Sequence, residues 1–114
     1  MAMKRIEAII PMSKMTDAFS ALKELKIGGL TYYDSKGRGK NPPAAVQSGR
    51  GTSLYTPEFN ANLTVFTVVE DSLVEQVVNK ILASTSTGLA GEGKIFISDV
   101  DEIIDIGTKT KEKA

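Results

Sequence analysis

The 114 residues carry 14 Lys+Arg against 14 Asp+Glu, with 41% hydrophobic residues and no Cys, His or Trp. That length and apolar fraction suit one domain with a real core, so neither disulfides nor a structural metal is required. The missing Cys and His exclude thiol catalysis, thiolate or imidazole zinc sites and His-based triads, and zero net charge argues against wholesale binding to nucleic acid or anionic membrane.

Lys4 to Ile10 alternates, with Ile6, Ala8 and Ile10 on one side and Arg5, Glu7 and Ile9 on the other, the signature of a strand that Pro11 ends. Ser13 or Thr16 is placed to cap a helix whose apolar stripe is Met15, Ala18, Phe19, Leu22 and Leu25. Gly28-Gly29 stops it, and Leu30 to Asp34 reads as a second strand. From Ser35 to about Ala61 the chain is rich in Gly, Pro, Ser and Asn, without a period. Leu63 to Val69 is a nearly continuous β-branched and aromatic run, a third strand. Asp71 or Ser72 caps a second helix carrying Leu73, Val74, Val77, Val78, Ile81 and Leu82. Ser84 to Gly93 is polar and glycine-rich, Lys94 to Ser98 is a fourth strand, and Ile103 to Ile106 is a candidate short fifth one. The Lys-rich end from Lys109 is expected to fray. This order predicts an α+β fold, a ferredoxin-like double βαβ sandwich with both helices on one face. No apolar run approaches the ~20 residues of a membrane span and no signal-peptide pattern opens the chain, so a cytoplasmic protein is expected.

The long middle stretch is about twice the usual upper length of an unstructured loop in a compact domain. Its charge is lopsided, with Lys36, Arg38, Lys40 and Arg50 against Glu58. Asp99, Asp101, Glu102 and Asp105 give the segment after the fourth strand the opposite bias, so the zero net charge is a sum of local patches.

Two glycine-rich segments follow the pattern of anion sites. In Gly37-Arg38-Gly39-Lys40-Asn41, glycines let backbone N–H groups approach an anion and two cations neutralise it. Pro42-Pro43 interrupts it and no helix follows, so it is not a dinucleotide fingerprint. Thr87-Gly88-Leu89-Ala90-Gly91-Glu92-Gly93-Lys94 has a superficial likeness to a phosphate loop, yet Ile95 follows Lys94 and the segment enters a strand, which disfavours P-loop phosphoryl transfer. A solvated loop and a tight helix-to-strand connection are the plainer readings of the two segments.

Together these segments resemble the PII nitrogen regulatory family. The matching residues are Met3 to Ile10, Gly29-Leu30-Thr31, Lys36-Gly37-Arg38-Gly39-Lys40 and Thr87 to Ile97, and the likeness covers nearly the whole chain. The resemblance implies a single domain over 1–114 with a T-loop at about 36–60, a B-loop at about 86–94 and a C-terminal segment at 103–114. It implies a homotrimer that binds ATP or ADP, with Mg²⁺ possible beside ATP, in clefts between subunits, and that controls an ammonium transporter or a nitrogen-metabolism enzyme through the T-loop. Thr31 and Val68 would line the adenine end; Gly37, Arg38, Gly39, Lys40, Gly91, Glu92, Gly93 and Lys94 would meet the nucleotide near the phosphates. Arg50 and Tyr55 would be the T-loop residues that meet a partner or take a modification. Such a protein is a regulator, not an enzyme.

The departures from the family pattern are specific. Glu92 replaces an Asp, and Lys40 replaces an Arg, keeping the charge but losing the bidentate fork. Asn41 stands for the Gln that joins Mg²⁺ and 2-oxoglutarate, and Asn62 for a Lys that pairs a 2-oxoglutarate carboxylate. Phe66 occupies an acidic position that contacts adenine, and Asp105 and Gly107 occupy the positions of two arginines brought to the phosphates by the neighbouring subunit. Weakened triphosphate preference and loss of the usual 2-oxoglutarate sensing are therefore expected. The main rival is a PII-like trimer repurposed to regulate a non-nitrogen partner or to sense another nucleotide or small metabolite. An acylphosphatase-like enzyme is disfavoured because its cradle follows the first strand, and an RNA-binding module because the strands lack a basic aromatic motif.

Overall fold

The computed structural model describes residues 2–38, 46–47, 54–55, 59–88 and 93–113. Strand β1 (Met3–Pro11) leads through a 3₁₀ turn (Met12–Lys14) into helix α1 (Met15–Lys23), then β2 (Thr31–Gly37). Two short strands, β3 (Val46–Gln47) and β4 (Leu54–Tyr55), lie within the long loop. They are followed by β5 (Asn60–Glu70), α2 (Asp71–Thr85), β6 (Lys94–Val100), β7 (Glu102–Ile104) and β8 (Lys111–Lys113). The main sheet is antiparallel in the order β2-β5-β1-β6, which is the predicted ferredoxin-like sandwich.

The alternation of β1 is the reason the core forms where it does. Ile6, Ala8 and Ile10 are buried, and with Leu63, Val65 and Val69 of β5 they form the sheet's contribution to one cluster. Ala18 and Leu22 from α1 and Val77 and Ile81 from α2 cover them. Thr85 and Thr67 are buried among apolar side chains, with their hydroxyls donating to the carbonyls of Ile81 and Gly29. Among the described residues no buried side-chain polar atom lacks a partner.

Several boundaries differ from the sequence reading. Helix α1 ends at Lys23, because Glu24 and Leu25 donate to Ala21 and Leu22, tightening the last turn before Gly28-Gly29 is reached. Leu25 and Ile27 still pack against the core beyond it. None of the four predicted caps acts: the cap positions are Lys14 and Glu70, and neither makes a side-chain bond. Helix α2 starts directly from β5, and the Asp71 N–H donates to the Ala2 carbonyl at 3.0 Å. Asp71 still places a carboxylate in the first turn, where the helix dipole favours it.

The strands are longer than predicted. β2 runs on through Ser35, Lys36 and Gly37, and β5 begins at Asn60, because the two segments continue their ladder to the Gly37–Asn60 pair. The middle stretch also carries paired structure, Val46 opposite Tyr55 and Gln47 opposite Leu54. The expected fraying after Lys109 is overturned as well: Lys111–Lys113 pairs with Glu102–Ile104, and the predicted fifth strand ends at Ile104, not Ile106. A ladder bond from Asp105 N to Thr110 O and a bond from Lys109 N to Asp105 O close this hairpin, at 2.9 and 2.8 Å.

Candidate functional site

The strand register fixes which end of the sheet each candidate residue reaches. Gly37 closes β2 opposite Asn60, where β5 begins; Lys94 opens β6 opposite Ile9, near the end of β1. Both glycine-rich segments therefore leave the sheet at the same end. They leave from opposite edges, however, because β2 and β6 are the outer strands. Three inter-strand spacings separate them, about 14 Å. Gly37 and Lys94 thus reach the same end of the sheet on its two outer strands.

At the β2 edge, Thr31 is exposed and pairs with Phe66, and Val68 lies on the same face of β5 two residues on. Six residues later, Gly37 sits where a Cβ would come 3.2 Å from Asn62 Nδ2. Arg38 follows, its guanidinium 6.0 Å from the Phe59 ring centroid, at the limit of a cation–π contact. Thr31 and Val68 thus stand together at one end of this edge, and Gly37 and Arg38 at the other, about 20 Å along the strand.

At the β6 edge, Gly93 is a positional requirement. A Cβ there would lie 2.2 Å from the Ile9 carbonyl oxygen, and its φ is +154°. Only glycine lets the loop pass this close to β1 and deliver Lys94, exposed, onto the sheet. Gly39, Lys40, Asn41, Arg50, Gly91 and Glu92 lie outside the described residues, and Tyr55 is described only through its backbone pairing with Val46.

The face of the sheet opposite the helices carries a polar cluster that sequence reasoning missed. The Arg5 guanidinium stacks 4.4 Å from the Phe66 centroid and is 3.3 Å from a Glu7 carboxylate oxygen. Nearby, the Thr64 hydroxyl donates to Ser35 Oγ at 2.8 Å. The signal was available in the alternation of β1, which sets Arg5 and Glu7 away from the core. It did not say that β5 would bring Phe66 beneath Arg5.

Three of the acidic residues from Asp99 to Asp105 have partners. Lys4 bonds Asp99, which holds the Lys4 ammonium above its usual pKa, and Lys111 lies 3.9 Å from Glu102. Asp105, exposed, folds onto its own turn: Oδ1 accepts from the Thr108 N–H at 2.9 Å and the Thr108 hydroxyl at 3.2 Å, and these bonds hold its carboxyl below the ordinary value. A Cβ on Gly107 would come 3.3 Å from the same oxygen. Among the described residues no group of three metal-ligating side chains forms, and no helix is long and apolar enough to cross a membrane.

A family model described as "Nitrogen regulatory protein P-II" matches residues 3–110. The chain is 42% identical over 109 residues to the nitrogen regulatory protein P-II of Microchaete diplosiphon, covering 96% of each chain. It is 38% identical over 109 residues to that of Azospirillum brasilense, again 96% of each. To nitrogen regulatory protein P-II 1 of Escherichia coli it is 36% identical over 112 residues, 98% of each.

Proposed function

The chain belongs to the nitrogen regulatory protein P-II family, and on that premise we propose that it is a signal-transduction regulator that binds ATP or ADP in clefts between the subunits of a cytoplasmic homotrimer. Through the loop at about 36–60 it sets the activity of a nitrogen-metabolism target such as an ammonium transporter. The observation that carries this reading is the placement of the two glycine-rich segments at one end of the sheet but on its opposite edges. In this reading the ligand lies between chains, with Gly37 and Arg38 from one and Gly93 and Lys94 from another.

The residues present fit such a ligand. Thr31 and Val68 offer a half-apolar end for a base, Gly93 allows backbone approach, and Arg38 and Lys94 supply positive charge for phosphate. Gly39, Lys40, Gly91 and Glu92 complete the phosphate end in this reading, with Mg²⁺ accompanying ATP. Arg50 and Tyr55 are the loop residues proposed to meet the target.

A second reading, a P-II-like trimer serving a non-nitrogen partner or metabolite, is favoured by Asn62. An amide here replaces the cation expected for a 2-oxoglutarate carboxylate, and neutral hydrogen bonds are about half as strong as charge-assisted ones. Light scattering together with calorimetry against ATP, ADP, AMP and 2-oxoglutarate tests both. A trimer that binds ATP or ADP without Mg-ATP-dependent 2-oxoglutarate binding is expected. A monomer without nucleotide affinity overturns the first reading, and tight 2-oxoglutarate binding removes the case for the second.

A further inference from the structure

The two ends of the main sheet carry opposite charge. At the end where β1 finishes and β6 starts, Lys36 and Arg38 stand on β2 and just past it, Lys94 opens β6, and Lys14 lies between β1 and α1. At the other end, where Met3 pairs with Glu70 and Val100, stand Glu70, Asp71, Asp99, Asp101 and Glu102. Cations near the acidic end are matched, Lys4 by Asp99, Arg5 by Glu7 and Lys111 by Glu102. Lys14, Lys36 and Lys94 form no ion pair with a described residue. Asp17 and Asp34 are the carboxylates closest to Lys14 and Lys36 in sequence, and neither pairs with them. The zero net charge of the chain therefore conceals an uncompensated basic end.

We infer that this end is an electrostatic docking surface for an anionic phospholipid bilayer. The inference goes beyond the nucleotide reading and does not depend on it. The layout of the cations points to the partner. Lys36 shares a face of β2 with Tyr32, which meets Phe19 of α1, so it lies on the helix-covered side. Lys94 pairs with Ile9, whose neighbours Ala8 and Ile10 are in the core, so it lies on the opposite side. Their strands are the outer two of the sheet, about 14 Å apart, and Lys14 adds a third position at the entry to α1. The charges are thus spread over both layers of one end and do not converge on a single group. Lipids diffuse to each cation, so a bilayer neutralises such a dispersed set without matched spacing, whereas a folded acidic protein must supply carboxylates at these positions. The acidic end is repelled by the same bilayer, and the two ends together fix one orientation, with Gly37 and Lys94 toward the membrane.

The test is co-sedimentation of the full chain with vesicles of phosphatidylcholine alone and with about one-third phosphatidylserine, at low and at physiological salt. The unaltered chain is expected to bind only the phosphatidylserine vesicles and to be released as salt rises. Lys14→Gln with Lys36→Gln is expected to weaken binding by about 25-fold, from about fivefold per cation. Lys23→Gln with Lys26→Gln changes the net charge equally at the other end of α1 and is expected to cost no more than about twofold. Lys36→Gln alone, at an exposed site, is expected to cost about fivefold and keeps the test readable if the double variant unfolds. Both pairs spare Arg38 and Lys94, so failure of the nucleotide reading leaves this result standing. Equal losses in the two double variants reduce the effect to net charge and overturn the inference. Absence of binding to phosphatidylserine vesicles at low salt, or equal binding to phosphatidylcholine alone, also overturns it. Binding to soluble polyglutamate but not to vesicles assigns the surface to an acidic protein and overturns it as well.

Discussion

Asp105 Oδ1 accepts two hydrogen bonds from one residue, the N–H and the hydroxyl of Thr108, and so closes the turn between β7 and β8. The bonds lower the Asp105 pKa below 3.8, its ordinary value. A depressed carboxyl contributes stability that is complete above the unfolded pKa and is lost as pH falls through the folded one. The hairpin is therefore expected to stay intact at neutral pH and to loosen only below about pH 3.8. Amide exchange at Lys109, whose N–H donates to Asp105 O, measures this; Asp105→Ala should exchange rapidly at every pH.

Asp105→Arg is expected to act in two opposite directions. It removes the acceptor that organises Thr108, so the hairpin should lose protection. In the proposed trimer it replaces a carboxylate that repels phosphate with a guanidinium that forks onto it, so ATP should bind more tightly, by roughly tenfold or more for a charged hydrogen bond. Calorimetry showing no gain in ATP affinity would separate this segment from the phosphate end.

Gly93→Ala should be among the most damaging small changes. Its Cβ would sit 2.2 Å from Ile9 O, a backbone atom with no side-chain freedom to yield. The start of β6 must shift, at about 1–3 kcal/mol or more for an overpacked site. A lower urea midpoint, with weaker nucleotide binding through displaced Lys94, is the expected outcome.

Lys94→Met keeps the stem of the side chain and removes its charge. ATP affinity should fall by about 1.5–3 kcal/mol, the value of a charged hydrogen bond, and AMP should be affected less. Equal losses for ATP and AMP would move Lys94 away from the outer phosphates.

Leu63 has no exposed surface and joins β5 to both helices through the central cluster. Leu63→Ala should cost about 2–5 kcal/mol, read as a shift in the denaturant midpoint. Because it lies on the helix side of the sheet, it should leave the ratio of ATP to ADP affinity unchanged.

The fold was legible because two periods were clean. The alternation of Ile6, Ala8 and Ile10 and the helical spacing of Ala18 and Leu22 assigned their elements and their buried faces without tertiary information. The caps were misread because α2 begins directly where β5 ends, so the cap position falls on Glu70, and the Asp71 N–H is fixed by the Ala2 carbonyl, far away in sequence. The end of the chain was misread for a related reason. Lys111 to Lys113 looks like a solvated tail, and only pairing with Glu102 to Ile104 makes it a strand. At the candidate site, Gly93 and Lys94 were readable as a local motif. The Arg5–Phe66 contact joins β1 to β5 across 61 positions, and spacing along one strand carries no record of it.

Met3 pairs with both Glu70 and Val100, at the end of the sheet remote from Gly37 and Lys94. The distance along β1 from Met3 to Ile9 is about 20 Å. A dye or surface tether fused ahead of Met3 therefore sits a strand's length from both loop bases. Such a label can immobilise the protein for single-molecule recording while leaving the approach to those loops open to a target.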